Sequence, residues 1–182
     1  MMLNVNLEEN ISPDIRIKRA QSKVPFILPK NCRKYFQNIF DPKNKDGTKL
    51  NLYFDEYYFC LLAGLSCGKY DSEPELDSTS QMDEYPAEYE ECRDYVAGLL
   101  IATEAELIGI PQTDAVGLER LMVTYIDSTS KTRLNGNAKR RLNQYASRGM
   151  GLIREKLGGT PYKLEMFLLD FFQCLENGEF KE

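Results

Sequence analysis

LYFDEYYFCLLAGLSCG, residues 52–68, is an almost unbroken run of aromatic and aliphatic side chains with one acidic pair near its start and glycine at its end. It is too long for one strand and holds no proline, so it reads as a buried helix. Asp55 is placed to cap the start. Asp55 and Glu56 suit the positive end of the helix dipole, and Gly68 suits the left-handed position that closes a helix. The overlapping stretch LLAGLSCGKYD, residues 61–71, resembles a phosphate loop only in passing. The motif G-x-x-x-x-G-K-S/T needs a strand before it and a helix after it. Here Ala63 stands at the first glycine, Tyr70 at the hydroxyl residue, and the glycine ends a helix, where the dipole repels phosphate.

Working outward, PKNCRKYFQNIF (29–40) places Cys32, Tyr35, Phe36 and Ile39 at helical spacing, and DPKNKDGTK (41–49) is a turn. VPFILP (24–29) is an extended edge segment because of Pro25 and Pro29. DIRIKRA (14–20) alternates Ile15 and Ile17 with charges, and residues 1–13 read as a loose arm. Residues 71–85, DSEPELDSTSQMDEY, read as an acidic loop. Pro86 opens a helix over 86–109, with Tyr89, Cys92, Val96, Leu99 or Leu100, Thr103 and Leu107 on one stripe. Thr113 caps a further helix, DAVGLERLMVTYID. AKRRLNQYASRGMGLIREKL follows, and Pro161 opens PYKLEMFLLDFFQCLEN. The expected fold is mainly α: a flexible arm at 1–13, then one domain over 14–182 of five to six helices with a short extended segment near the N-terminus.

The 182 residues carry no histidine and no tryptophan. The missing imidazole removes His base chemistry, Ser-His and Cys-His pairs and His-containing metal sites. Five cysteines (Cys32, Cys60, Cys67, Cys92, Cys174) show no paired metal spacing. The reading is therefore a protein with no catalytic residue, metal or cofactor. The opening residues lack a secretory pattern and no run is long enough to span a membrane, so a cytoplasmic location is expected.

Charge is unevenly placed along a chain of net charge −5. Basic residues crowd 14–34, acidic ones 71–94, and basic ones again 131–156. On the helix read over 138–157, Ala138, Leu142, Tyr145, Gly149, Leu152 and Ile153 form an apolar face, with Arg140, Arg141, Arg148 and Arg154 opposite. Lys131, Arg133 and Lys139 extend that stripe. It suits nucleic-acid phosphates, an acidic protein partner or the chain's own acidic loop, or is a solvated face. In the C-terminal segment Phe167, Phe171 and Leu175 form a core stripe and Leu164, Leu168 and Phe172 a second one. A helix apolar on two sides is either buried or covers a partner, so Phe167, Phe171 and Phe172 are candidate docking residues.

Three stretches, PFILPKNCRKYFQNIF, DEYYFCLLAGLSCGK and TPYKLEMFLLDFFQCLENG, resemble small accessory subunits of bacterial anti-phage and anti-plasmid operons. One such group is the non-enzymatic third component of Lamassu-type systems, which work with an SMC-like ATPase and a nuclease. Another is the small proteins associated with DNA phosphorothioation. The resemblance implies a non-enzymatic subunit that holds or regulates larger partners of the same operon, often near DNA. A stand-alone DNA-binding regulator using residues 131–156 is the alternative.

Overall fold

The computed structural model describes residues 24–181. The expectations for residues 1–13 and 14–23 fall outside them. In chain order the elements are β1 (Phe26–Pro29), α1 (Cys32–Phe36), α2 (Tyr53–Cys67) and β2 (Leu76–Met82). A 3₁₀ segment, Ala87–Cys92, leads into α3 (Arg93–Ile108), and α4 (Ala115–Tyr125), α5 (Gly136–Lys156) and α6 (Leu164–Glu176) follow. The architecture is mainly α, with six α-helices and one two-stranded antiparallel sheet among the described residues.

The centre of the molecule is the contact of α2 with α5, and glycine makes it possible. A Cβ on Gly64 would strike the Tyr145 carbonyl, and one on Gly149 would strike the Cys60 carbonyl. The two backbones therefore touch, an approach open only to residues without side chains. The face of α5 expected to be apolar is buried in full, from Ala138 to Ile153. Around this pair Phe26, Phe36, Phe54, Tyr57, Leu61, Tyr145 and Phe171 close one contiguous core.

Gly68 and Gly109 end α2 and α3 in the left-handed conformation, at φ 73° and 74°. Asp55 acts three residues inside α2. Its Oδ2 accepts from the Leu52 and Asn51 N–H groups at 2.9 and 3.1 Å. The N-cap of α4 is Asp114, not Thr113, with Oδ1 accepting from the Gly117 N–H at 2.9 Å. Asn135 caps α5 by accepting from Asn137 and Ala138. The last helix starts at Leu164, after Pro161.

The acidic loop expected over 71–85 is in part a strand. Leu76–Met82 pairs antiparallel with β1, Phe26 opposite Met82 and Ile27 opposite Gln81, with an irregularity before Pro29. The polar run is recruited because β1 is an apolar strand with an open edge, and pairing satisfies its backbone. The other edge of β1 is closed by one side chain. Asn143 Nδ2 donates to the Pro25 carbonyl, while its Oδ1 accepts from the Ile27 N–H and the Tyr57 hydroxyl.

Two helices are shorter than expected. α1 stops at Phe36, although Cys32, Tyr35, Phe36 and Ile39 are all buried as the spacing requires. The helix expected from Pro86 begins as a tighter 3₁₀ segment. There Tyr89 leans to α2: its hydroxyl donates to Asp55 at 2.8 Å and its ring packs on Phe54. Leu107, expected on the buried stripe, is exposed, and Ala105 takes an inward position instead.

Candidate functional site

The basic stripe does not survive as a stripe. Lys139 is only 3% exposed. Its Nζ donates to the Asp83 carbonyl at 2.8 Å and lies 5.1 Å from the Phe26 ring centroid. Burial lowers its pKa, opposed by the charges of Asp83 and Glu84. Arg141 is folded inward as well. Its Nε sits 3.3 Å from Glu104 Oε1, and its guanidinium lies 3.7 Å from the Tyr70 ring centroid. These two residues leave the phosphate-facing set because the core holds them.

Lys131 pairs with Glu84 at 3.0 Å, so part of the basic segment meets the chain's own acidic stretch. Ser147 reinforces that seam by donating to Asp71 at 2.7 Å and accepting from the Glu75 N–H. Arg133 adopts φ 61° and donates to the Ser128 carbonyl. Arg148 is half-buried. Arg140 and Arg154 are exposed near opposite ends of α5, separated by about 21 Å at 1.5 Å per residue.

The aromatic triplet divides too. Phe167 packs edge-on against Phe36 and Phe59, and Phe171 edge-on against Phe59 and at a 45° tilt against Phe180. Both are core residues and are withdrawn from docking. Phe172 is half-exposed, on a surface shared with Met166, Leu169 and Tyr162.

Sequence reasoning missed Glu104, which ties three helices together. Its Oε2 accepts from the Tyr125 hydroxyl of α4 at 2.6 Å. Its Oε1 accepts from the Tyr145 hydroxyl of α5 at 2.7 Å, beside Arg141. Burial and the Glu104 contact push the Tyr145 phenol above its ordinary range. A signal was available: Val96, Leu100 and Glu104 fall at i, i+4, i+8, so the glutamate stands on the buried stripe of α3.

A second buried acid, Glu56, has one carboxylate oxygen without a hydrogen-bond partner. Burial raises its pKa to about 7, opposed by the Arg33 charge. Nearby, Cys32 Sγ and Cys60 Sγ lie 3.6 Å apart, and Cys60 Sγ lies 3.6 Å from Met150 Sδ.

A large concave feature runs between α3 and α4. It encloses about 1040 Å³. Ala97, Gly98, Ile101, Ala102 and Ala105 form the α3 wall, and Leu118, Met122 and Ile126 the α4 wall. Small residues on α3 keep the cleft open, and the Ile110-Pro111 connection closes one end. Asp94 and Arg133 lie at the opposite end, and Glu106 lies near the closed one. The helices beside the cleft stay apolar outside it as well. Tyr95 and Val123 are each 75% exposed, and Leu99, Leu107, Ile108, Val116 and Met122 also face solvent. Residues 86–127 are acidic as a whole, with Arg93 and Arg120 their only cations.

No protein-family model, curated protein or solved structure matches this chain. Among the described residues, no group of three or more cysteine, aspartate or glutamate side chains is arranged to hold a metal ion. No described helix is long and apolar enough to cross a membrane.

Proposed function

We propose that this chain is a non-catalytic docking subunit that seats an apolar segment of a larger protein in the α3–α4 cleft. One observation carries the reading: exposed large apolar side chains concentrate on the two helices that border this cleft. Scattered surface leucines need no explanation, but a contiguous apolar patch around a groove marks a contact surface. The small α3 residues allow close backbone approach, as helix-in-groove recognition requires. The likeness to defence-operon accessory subunits supports a partner of the same operon, an SMC-like ATPase or its nuclease. DNA contact is the lesser reading, because its residues are divided between core, acidic seam and surface.

The test is capture of partners by tagged full-length chain from nuclease-treated lysate, with Ala102→Glu/Met122→Glu as the variant. Both positions are exposed, so folding should persist with an unchanged melting temperature. Loss of the captured proteins is expected. A folded variant that retains the same proteins removes the cleft from the mechanism.

A further inference from the structure

We infer that Cys32, Cys60 and Met150 form a buried binding site for one soft monovalent metal ion, copper(I), where α1, α2 and α5 meet. The three sulfurs come from distant parts of the chain. Cys32 is the first residue of α1, Cys60 lies within α2, and Met150 follows the α5 glycine that touches the Cys60 carbonyl. Cys32 Sγ lies 3.6 Å from Cys60 Sγ, and Cys60 Sγ lies 3.6 Å from Met150 Sδ. Both cysteines are fully buried, and Met150 is 3% exposed. The backbone contact at Gly149 fixes two of the three donors against each other.

The donor set selects the ion. Thiolates joined by a thioether are soft ligands, which copper(I) prefers and hard cations do not. With metal–sulfur bonds of about 2.3 Å, sulfurs around a trigonal ion stand ~4.0 Å apart. The observed 3.6 Å separations therefore widen by only about 0.4 Å when the ion enters. Two sulfurs in line with the ion would need ~4.6 Å, so the geometry favours methionine as a third ligand. Zinc does not fit. Its structural sites close with four ligands, and among the described residues no further cysteine, aspartate or glutamate joins this pair. Histidine is absent from the chain.

Loading needs no oxidant. In the free protein the thiols form a weak chain: Cys60 donates to Met150 Sδ, which leaves Cys32 to donate to Cys60. The entering ion breaks both S–H bonds. Two metal–thiolate bonds form, and the Met150 thioether adds a lone pair. Both protons leave to solvent, and the ion keeps its oxidation state. The centre then carries one negative charge, which the Arg33 cation favours and the Glu56 carboxylate opposes. Entry runs through α1. That helix is five residues long, so its local opening uncovers Cys32 while α2 stays packed on α5.

The test titrates the reduced full-length chain with copper(I), without oxygen and against a competing copper(I) chelator. Native mass spectrometry counts the ions, and X-ray absorption identifies their neighbours. One ion per chain is expected, with three sulfur neighbours and no nitrogen or oxygen. Met150→Leu keeps the core volume and should bind at least about tenfold more weakly. Cys32→Ala should lose the ion, and Cys92→Ala/Cys174→Ala, outside the triad, should bind as wild type does. Melts of each metal-free variant establish that it is folded. If Cys32→Ala fails to fold, Met150→Leu and the neighbour count decide. A folded Cys32→Ala that keeps the ion overturns the inference, as does unchanged affinity in Met150→Leu. So do nitrogen or oxygen neighbours. No ion bound, either by the native chain or after refolding with copper(I) present, overturns it too. A chain lighter by two hydrogens and without metal assigns the pair to a disulfide and also overturns it.

Discussion

Tyr125, Tyr145 and Arg141 converge on the Glu104 carboxylate, so one side chain fixes the mutual positions of α3, α4 and α5. Glu104→Gln keeps the shape but removes the charge that Arg141 faces in a largely enclosed site. It should cost about 2–4 kcal/mol in urea unfolding, the range for breaking a buried charged pair. A cost below about 1 kcal/mol would mean the network is water-filled. Glu56 gives the opposite sign. Burial raises its carboxyl from 4.5 to about 7, so the folded state holds the proton more tightly than the unfolded chain. Its contribution is fully present below about pH 4.5 and is lost as pH rises through about 7. Glu56→Gln should therefore be more stable than wild type at pH 8, by up to about 3 kcal/mol, and equal to it near pH 4. Paired melts at the two pH values decide it. Both acids lie on apolar helix faces, and type alone assigns charged residues to the surface. Arg141 and Lys139 were assigned outward for the same reason. Only partners distant in the chain draw them inward: Glu104 and Tyr70 for Arg141, Asp83 and Phe26 for Lys139.

At the scale of elements, glycine has two opposite meanings within α5. Gly149 meets the Cys60 carbonyl, whereas nothing lies within 4 Å of a Cβ built on Gly151. Gly149→Ala should lower stability by about 3 kcal/mol or more, since backbone cannot yield as a side chain does. Gly151→Ala should raise it by about 0.5–1 kcal/mol through helix propensity. Equal effects of the two substitutions would refute the close packing of α2 on α5. The helices were legible because apolar periodicity and glycine or proline punctuation act within one segment. The apolar face of α5 and the C-terminal glycine of α2 are examples. β2 was not legible, because a Leu-Asp-Ser-Thr-Ser-Gln-Met run becomes a strand only when β1 offers an edge. The early 3₁₀ turn depends likewise on the Tyr89 contact with Asp55, which lies on another helix.

Across the whole molecule, the alternation of basic, acidic and basic segments closes partly on itself. Lys131 meets Glu84, Lys139 meets the Asp83 carbonyl, and Lys30 lies 3.7 Å from Glu75. The apolar α3–α4 surface is the larger unsatisfied feature. Residual DNA binding through Arg140 and Arg154 should show a salt slope near −2, about 0.9 per phosphate neutralised. Filter retention from 50 to 300 mM salt measures it, and a slope steeper than about −5 would restore the continuous stripe. The sequence placed charge by segment, but which cations stay in solvent is set by packing between segments far apart in the chain.

The glycine contact of α2 with α5 also bears on how the chain is made. α5 leaves the ribosome about 80 residues after α2, a delay of about 4–16 s at ~5–20 residues per second. Throughout that interval α2 lacks its closest partner, and Tyr57, Cys60 and Leu61, all buried in the finished protein, are without the α5 side of their packing. A chain cut between α3 and α5 should therefore expose apolar surface on α2 that the whole chain buries, and dye binding to that fragment measures it.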